Sequence, residues 1–385
     1  MTIHIFNPHS DLALADGSTT YTPPASGIAL ARAGASLPMW YGENGDKFIG
    51  AVNGEWYDSI SYAFDINILP TLSPSQAHVQ PWGWSPQIKR QLLDMGWSDD
   101  VLPSQKELDG WRTLSSRITA VQILKELIIK ESPTLLGSEV APTRFLPYIA
   151  TNIEEALNQI DRSGVSIIKL PWSNAGRGQQ VSDRTTPIEL RRRLTGMIRR
   201  QGAVEISPYY TKLLDFAMLW DNNTFIGYSL FETDSHGGWT HNILLSDDEI
   251  ERLIKHKLGR DIDFNSLHKT LGNLLHGLSE KFNYNGPIGV DFIVGSNYDG
   301  SFSNQKYLLP IEINWRRTMG HVAHRLKNRF LVPAATGTFS ILPSRDFRMA
   351  YNDVGHCQVA GNRLVHGILD LTPPGGDFRI LLRTE

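Results

Sequence analysis

From residue 113 onward, helices that open with clear capping signals alternate with apolar runs of strand length, and this alternation restricts the possible folds more than any other feature. The runs are short, and several are rich in β-branched and aromatic residues, which predicts strands. They occupy residues 165–170, 203–207, 215–220, 224–232, 288–294 and 307–314. Because the strands come in clusters with helices between them, the pattern predicts an α+β fold.

The predicted helices begin at recognisable residues. Segment 113–130 has apolar residues at helical spacing and offers Ser115 or Ser116 as its N-cap. Three further helices have the signature of a capping box, in which a hydroxyl caps the helix and a glutamate three residues later caps back. The pairs are Thr151 with Glu154, Thr186 with Glu189, and Ser246 with Glu249. Helices at 246–258 and 264–283 are predicted to separate the strand clusters.

The two ends of the chain have their own patterns. Residues 3–6 are predicted to form a strand, followed by a polar loop at 7–24 and a helix that starts at 25, and a further helix is predicted at 85–95. Near the other end, two strand-like runs flank the turn TPPGGD and predict a β-hairpin. We therefore expect an N-terminal domain at 1–112, a larger domain at 113–335, and a C-terminal segment at 336–385 that packs on the larger domain.

Composition excludes several classes of function. Lys and Arg total 37 against 40 for Asp and Glu, a net charge of -3, so nothing in the overall charge favours nucleic acid or an anionic membrane. The single cysteine, Cys357, excludes an internal disulfide and a cysteine zinc site. No run approaches the ~20 apolar residues of a membrane span, and no secretory leader is evident. We expect a soluble, cytoplasmic protein of two or three domains.

A lysine at the end of a strand precedes a glycine-rich loop. Lys169 closes the apolar run 165–170, and burying its ammonium is costly unless an anion pairs with it. In the following loop, Gly176 and Gly178 allow backbone N–H groups to approach phosphate oxygens. The alternative interpretation is an ordinary turn next to a lysine whose charge reaches solvent.

Polar groups also end the next strands. Glu205 and Ser207 straddle the end of one strand, just before Pro208, which has no N–H to donate. Such a strand end offers the donor and the acceptor that an adenine edge needs. Asp215 opens the following strand and could accept hydrogen bonds from ribose hydroxyls, although an exposed acid at a strand start is the simpler interpretation.

Three oxygen-bearing side chains predict a cation site. Asp291 is a lone acid within an apolar strand, and Glu312 and Asn314 are two residues apart on another strand, so they face the same side. If the two strands are neighbours, the three side chains converge as hard oxygen ligands suited to Mg²⁺. The alternative is a salt bridge between the acids and Arg316 or Arg317.

The chain resembles the ATP-grasp superfamily in the order of these motifs. A strand lysine with a glycine-rich loop comes first, then an acidic hinge, a strand acid, and finally Glu-x-Asn followed by arginine. The strongest match is EINWRRTMG, which follows the aspartate strand GVDFIV, and the resemblance covers about residues 113–330. It implies an α+β ATP-grasp fold of two subdomains that clamp ATP, preceded by a smaller α/β domain.

The resemblance also implies residue roles. It assigns Lys169 to the α- and β-phosphates, the loop from Ser173 through Gly176, Arg177 and Gly178 to the β- and γ-phosphates, Glu205 and Ser207 to adenine, and Asp215 to ribose. It assigns Asp291, Glu312 and Asn314 to two Mg²⁺ ions, with Mn²⁺ as a possible substitute, Arg316 to the transferring phosphoryl group, and Arg317 to the substrate carboxylate.

Two departures from the superfamily pattern affect these assignments. Trp315 replaces a usual proline, which leaves open which of Arg316 and Arg317 reaches the phosphate. Arg117 stands where many members have a lysine that contacts ATP. In the preceding domain, His9 and Asp11 follow the first strand and could touch a ligand, or could be ordinary loop residues.

The predicted activity is an ATP-dependent carboxylate–amine or peptide ligase that works through an acyl phosphate. The expected partners are a small-molecule or peptide carboxylate and an amine, and a homo-oligomer is compatible with the sequence. Two alternatives stay open: a kinase of the same fold that phosphorylates a small molecule, and a nucleotide-binding module without turnover.

Overall fold

The computed structural model describes residues 1–74, 77–137, 140–173, 178–235, 237–297, 305–346 and 357–384. The described strands form three sheets, of four, four and nine strands. No helix in these ranges combines the length and the apolar character needed to cross a membrane.

The N-terminal sheet is parallel, with strand order β3-β2-β1-β4. Its strands are β1 (Thr2–Ile5), β2 (Lys47–Ile49), β3 (Leu69–Thr71) and β4 (His78–Pro81), and its helices are α1 (Ser10–Asp16), α2 (Ala25–Ala33), α3 (Gly54–Phe64) and α4 (Pro86–Asp94). Parallel neighbours require crossover connections, which explains the helices between them. The predicted loop at 7–24 is wrong where α1 forms, because Ala13 and Leu14 bury their side chains on one face.

Three helices lead from this sheet into the rest of the chain: α5 (Gln105–Leu114), α6 (Arg117–Lys130) and α7 (Ser132–Leu136). The Ser116 hydroxyl accepts the backbone N–H of Ile118, so Ser116 rather than Ser115 caps α6. A complete capping box between Ser104 and Glu107, which the sequence analysis missed, opens α5.

The small sheet is antiparallel, with order β5-β8-β6-β7, and helices α8 and α9 pack on it. Its strands are β5 (Tyr148–Ala150), β6 (Ser166–Lys169), β7 (Gln179–Val181) and β8 (Val204–Pro208), and its helices are α8 (Ile153–Ser163) and α9 (Pro187–Gln201).

The capping boxes predicted for these two helices hold only in part. The Thr151–Glu154 box is wrong, because Asn152 occupies the cap position and accepts the N–H of Glu155. Thr186 caps α9 as predicted. The carboxylate of Glu189 contacts Arg193 on the next turn.

The large sheet has the order β13-β12-β9-β10-β11-β14-β17-β16-β15, and its neighbouring strands pair antiparallel. The strands are β9 (Tyr210–Asp221), β10 (Thr224–Thr233), β11 (Trp239–Leu244), β12 (Ile288–Asn297), β13 (Lys306–Asn314), β14 (Gly337–Pro343), β15 (Gln358–Ala360), β16 (Arg363–Asp370) and β17 (Phe378–Thr384). The predicted C-terminal hairpin is confirmed as β16 and β17, which extend this sheet.

Helices α10 (Asp247–Leu258) and α11 (Phe264–Phe282) pack on β9, β10, β12 and β13, and α12 (Met319–Arg325) packs on β9, β10 and β11. The Ser246–Glu249 capping box at α10 is confirmed. Two large apolar clusters form the core. One joins α6, α10 and α11 to the β9–β12–β13 end of the sheet, and the other joins the N-terminal sheet to α12, β14 and β17.

Candidate active site

A cavity of about 1050 Å³ gathers residues from the small sheet, the large sheet and the N-terminal segment. This volume lies at the upper end of the ~300–1,000 Å³ typical of small-molecule sites. The predicted site residues that line it are Arg117, Lys169, Ser173, Glu205, Ser207, Asp215, Asp291, Glu312, Asn314 and Arg316. Gly178 lies at the end of the glycine-rich loop with a φ of 80°, whereas Gly176 and Arg177 fall outside the described residues.

The predicted cation ligands converge because β12 and β13 are neighbours. Asp291 lies directly opposite Glu312 in the antiparallel register, and the Asn314 amide donates to Asp291 Oδ2 over 3.1 Å. Burial raises the pKa of Asp291 to about 8, and the Glu312 carboxylate adds to the rise. A bound divalent cation would favour the ionised form of this carboxylate.

The donor set fits Mg²⁺, since two carboxylates and an amide oxygen leave other positions to phosphate oxygens and water. Asn314 Oδ1 accepts from Arg316 Nη2 over 3.3 Å, so the amide would have to turn to present its oxygen to an ion. In the described part of the chain, no three His, Cys, Asp or Glu side chains are grouped as metal ligands. The site therefore depends on the asparagine.

Arg117 and Lys169 connect the two sheets across the cavity. Arg117 Nη1 donates to Leu170 O and to Ser173 Oγ, each over 2.8 Å, and its Nη2 forms a salt bridge with Glu312. Lys169 Nζ donates to the carbonyl of Ile311 over 3.2 Å. Glu312 therefore does not pair with Arg316 or Arg317, the two partners that the alternative interpretation named. It pairs with Arg117, which is 195 residues away in sequence.

Glu205 lies beneath both cations. Its carboxylate is 3.7 Å from Arg117 Nε and 3.8 Å from Lys169 Nζ, and it accepts a hydrogen bond from Ser207 Oγ over 2.7 Å. The Glu205 side chain is only 3% exposed, and a buried carboxylate is stable beside cationic partners such as these. The structure thus places the Glu205 side chain beside two cations, and the predicted backbone contact with adenine stays a prediction.

Asp215 lies within a strand and not at a strand start, because β9 begins at Tyr210. Lys212 Nζ donates to both Asp215 oxygens, over 2.9 and 2.8 Å, and Thr233 Oγ1 donates to Oδ2 over 3.1 Å. The carboxylate is 11% exposed and lines the cavity, so the simpler interpretation as an exposed acid does not hold.

The two arginines after β13 point in different directions. Arg316 lines the cavity and donates through Nε to Asp11 Oδ2 over 2.6 Å. The Arg317 guanidinium lies 4.5 Å from the centre of the Tyr41 ring and donates to Gln80 Oε1 over 3.4 Å. Arg317 therefore packs against Tyr41 and Gln80 of the N-terminal segment, whereas Arg316 lines the cavity.

Trp315 explains this arrangement. Its indole is buried and meets the ring of Tyr284 edge to face, with centroids 5.4 Å apart. Ile313, Trp315 and Arg317 are all buried, whereas Asn314 and Arg316 are on the cavity side. Side chains thus continue to alternate between the core and the cavity beyond the last residue of β13. Burial of the large apolar Trp315 side chain maintains this alternation.

The segments that follow β1 and β4 support the site through residues that were not predicted from the sequence. Asn7 is buried and donates through Nδ2 to the carbonyl of Gly83 over 2.8 Å. A Cβ placed on Gly83 would lie 3.5 Å from Arg316 Cβ and 2.5 Å from Ser10 Oγ, so only glycine fits there. Asp11 reaches the site through Arg316, and His9 does not line the cavity.

No family model matches the chain, and no curated protein matches it. It is similar to the crystal structure of a biotin carboxylase–β-γ-ATP complex from Campylobacter jejuni, with a TM-score of 0.52 and 12% identity over 100% of this chain and 87% of the other. A phosphoribosylamine–glycine ligase from Thermotoga maritima has a TM-score of 0.49 and 12% identity, over 100% and 92%. The first similarity supports the predicted ATP-grasp fold, which is confirmed.

Proposed function

We propose that the chain is an ATP-dependent carboxylate–amine ligase. The proposal rests on one observation: two carboxylates and three cationic side chains line the same cavity. They are Asp291, Glu312, Arg117, Lys169 and Arg316. Opposite charges brought together from both sheets suit a triphosphate with its metal ions, because cations contact phosphate oxygens and carboxylates hold Mg²⁺.

In the proposed first step, a substrate carboxylate oxygen attacks the γ-phosphorus, the bond to the β-phosphate oxygen breaks, and ADP leaves. An amine then attacks the carbonyl carbon of the acyl phosphate, inorganic phosphate leaves, and the amine loses a proton. Bound Mg²⁺, held by Asp291, Glu312 and Asn314, would neutralise charge on the transferring group. No protein nucleophile is needed in either step.

The chain's own residues would act by position and charge. Lys169 and Arg117 lie where they can contact phosphate oxygens, and the carboxylate of Glu205 holds both cations in place before the nucleotide arrives. Arg316 is fixed by Asp11 and Asn314 just beyond the end of β13. From there it would offset charge that develops on the transferring phosphoryl group. Asp215 and Thr233 offer oxygens to ribose hydroxyls.

The proposal is tested by incubating the purified protein with ATP, MgCl₂ and pools of carboxylates and amines. ADP and inorganic phosphate should be released together only when an acid and an amine are both present. A stable phosphorylated product formed from one substrate would favour the kinase alternative. Tight ATP binding with no turnover over a broad panel would favour the non-catalytic module.

A further inference from the structure

The cavity is much longer than the region of the predicted phosphate and metal ligands. Five of its lining residues are register neighbours on consecutive strands: Leu309, Ile293, Asp215, Phe231 and Asn242. Because adjacent strands lie about 4.8 Å apart, this row extends about 19 Å from the edge strand β13 to β11. The cavity therefore continues over three strands, β9, β10 and β11, beyond the two strands that carry the predicted metal ligands.

The two ends of the cavity rest on different parts of the core. At the nucleotide end the lining includes Leu124, Ile128 and Phe145 of the first apolar cluster. At the other end it belongs to the second cluster, and we call this part of the wall the apolar end. Its residues are Leu30, Trp82, Trp239, Met319 and Ile341.

The apolar end lies next to Arg316. The Trp82 carbonyl accepts the N–H of Arg317 over 3.1 Å, and Met319 follows two residues later at the start of α12. The Trp239 indole N–H is held by Asn242 Oδ1 over 3.0 Å, while Asn242 Nδ2 donates to Ser229 Oγ over 2.8 Å. The Trp82 carbonyl, the Trp239 indole N–H and the Asn242 amide thus form hydrogen bonds within the protein. The wall therefore presents mainly apolar surface to the cavity.

The cationic side chains of the described cavity lining are paired within the protein, and most of them lie away from the apolar end. Arg117 and Lys169 hold Glu205, and Lys212 holds Asp215. Two further arginines belong to the small-sheet part of the chain: Arg184 lies over the Tyr209 ring, and Arg193 pairs with Glu189. Arg316, which pairs with Asp11, is the described lining cation next to Trp82 and Met319 of the apolar end.

From this distribution we infer that the carboxylate substrate has an uncharged, apolar body, a branched aliphatic or aromatic group that packs on the apolar end while its carboxylate lies beside Arg316. This inference rests on the proposed function. A second anionic group, such as a phosphate or another carboxylate, would be buried against this wall without a cation, which is unfavourable. An apolar body instead gains from removing its surface from water.

The test is a calorimetric titration of the sodium salts of acetic, butanoic, hexanoic and 3-phenylpropanoic acids. The protein is saturated with MgCl₂ and a non-hydrolysable ATP analogue. Affinity should rise about fourfold for each added methylene until the apolar end is filled. A flat series, or tighter binding of succinate, 3-phosphoglycerate or pentylamine than of hexanoate, would overturn the inference.

A matched pair of variants assigns the effect to the wall. Leu30→Glu should weaken hexanoate binding at least tenfold, whereas Ile28→Glu, on the same helix but 42% exposed and outside the cavity, should leave it unchanged. Equal losses in both would count against the apolar end. Failure of the ATP analogue to bind would overturn the proposed function instead, and the acid series measured with MgCl₂ alone would still decide the inference.

Discussion

Removing the charge of Asp11 tests whether helix α1 fixes Arg316 in the site. The Asp11 carboxylate accepts from Arg316 Nε over 2.6 Å, and the side chains are 22% and 17% exposed. Two unit charges about 4 Å apart attract by about 4 kcal/mol at an effective dielectric constant of about 20, and desolvation offsets much of this. Hydrogen bonds to charged groups contribute about 1.5–3 kcal/mol net.

Asparagine at position 11 retains an oxygen that can accept from Arg316 but loses the charge. We therefore expect Asp11→Asn to lower the free energy of unfolding by about 1–2 kcal/mol, measured by urea unfolding followed through tryptophan fluorescence. Asp16→Asn is the control, because Asp16 is the exposed acid at the other end of the same helix. It should change stability by less than about 0.5 kcal/mol.

A double-mutant cycle identifies the partner. In an Arg316→Met background, Asp11→Asn should be neutral or stabilising, because it then removes a carboxylate that has lost its cation. The coupling energy should be about 1–2 kcal/mol. Additive effects of the two substitutions would refute the argument that Asp11 holds Arg316. If Arg316 also contacts the transferring group, Asp11→Asn should lower kcat and leave the KM for ATP nearly unchanged.

Three further outcomes are expected. Lys169→Ala should weaken binding of ATP about 10- to 100-fold by calorimetry, because a charge-assisted contact to phosphate is lost; unchanged affinity would place the phosphates elsewhere. Glu312→Gln should keep ATP binding within a few-fold and abolish Mg²⁺-dependent ADP release, and full activity would refute its assignment as a metal ligand. Burial lowers the pKa of His321 to about 3, so its neutral form stabilises the fold above its unfolded pKa of ~6.5, and this contribution is lost as the pH falls. Between pH 6.5 and 5 the loss is about 1–2 kcal/mol, and His321→Gln should show an unfolding free energy that declines correspondingly less over this range; equal pH dependence in both proteins would contradict it.

Local rules carried much of the fold. Apolar periodicity and turn residues, which act between near neighbours in sequence, predict several elements correctly. These are the strand of Lys169, the helices at 246–258 and 264–283, and the C-terminal hairpin. The errors are also local. The predicted cap of α8 was Thr151, but the structure has Asn152 at this position. Both residue types can cap a helix, so the sequence alone does not distinguish the two adjacent positions.

The sequence alone predicts that Glu312 and Asn314 share a face, because alternation along a strand is a property of the backbone. It also indicated which residues could serve a nucleotide. The partners of these residues follow from the three-dimensional arrangement: Arg117 contacts Glu312 across 195 residues, and Arg316 contacts Asp11 across 305. Such pairs depend on strand order and register in separate sheets, and on the burial of Trp315, which leaves Arg316 facing the cavity. No short-range sequence pattern encodes strand order, register or this burial.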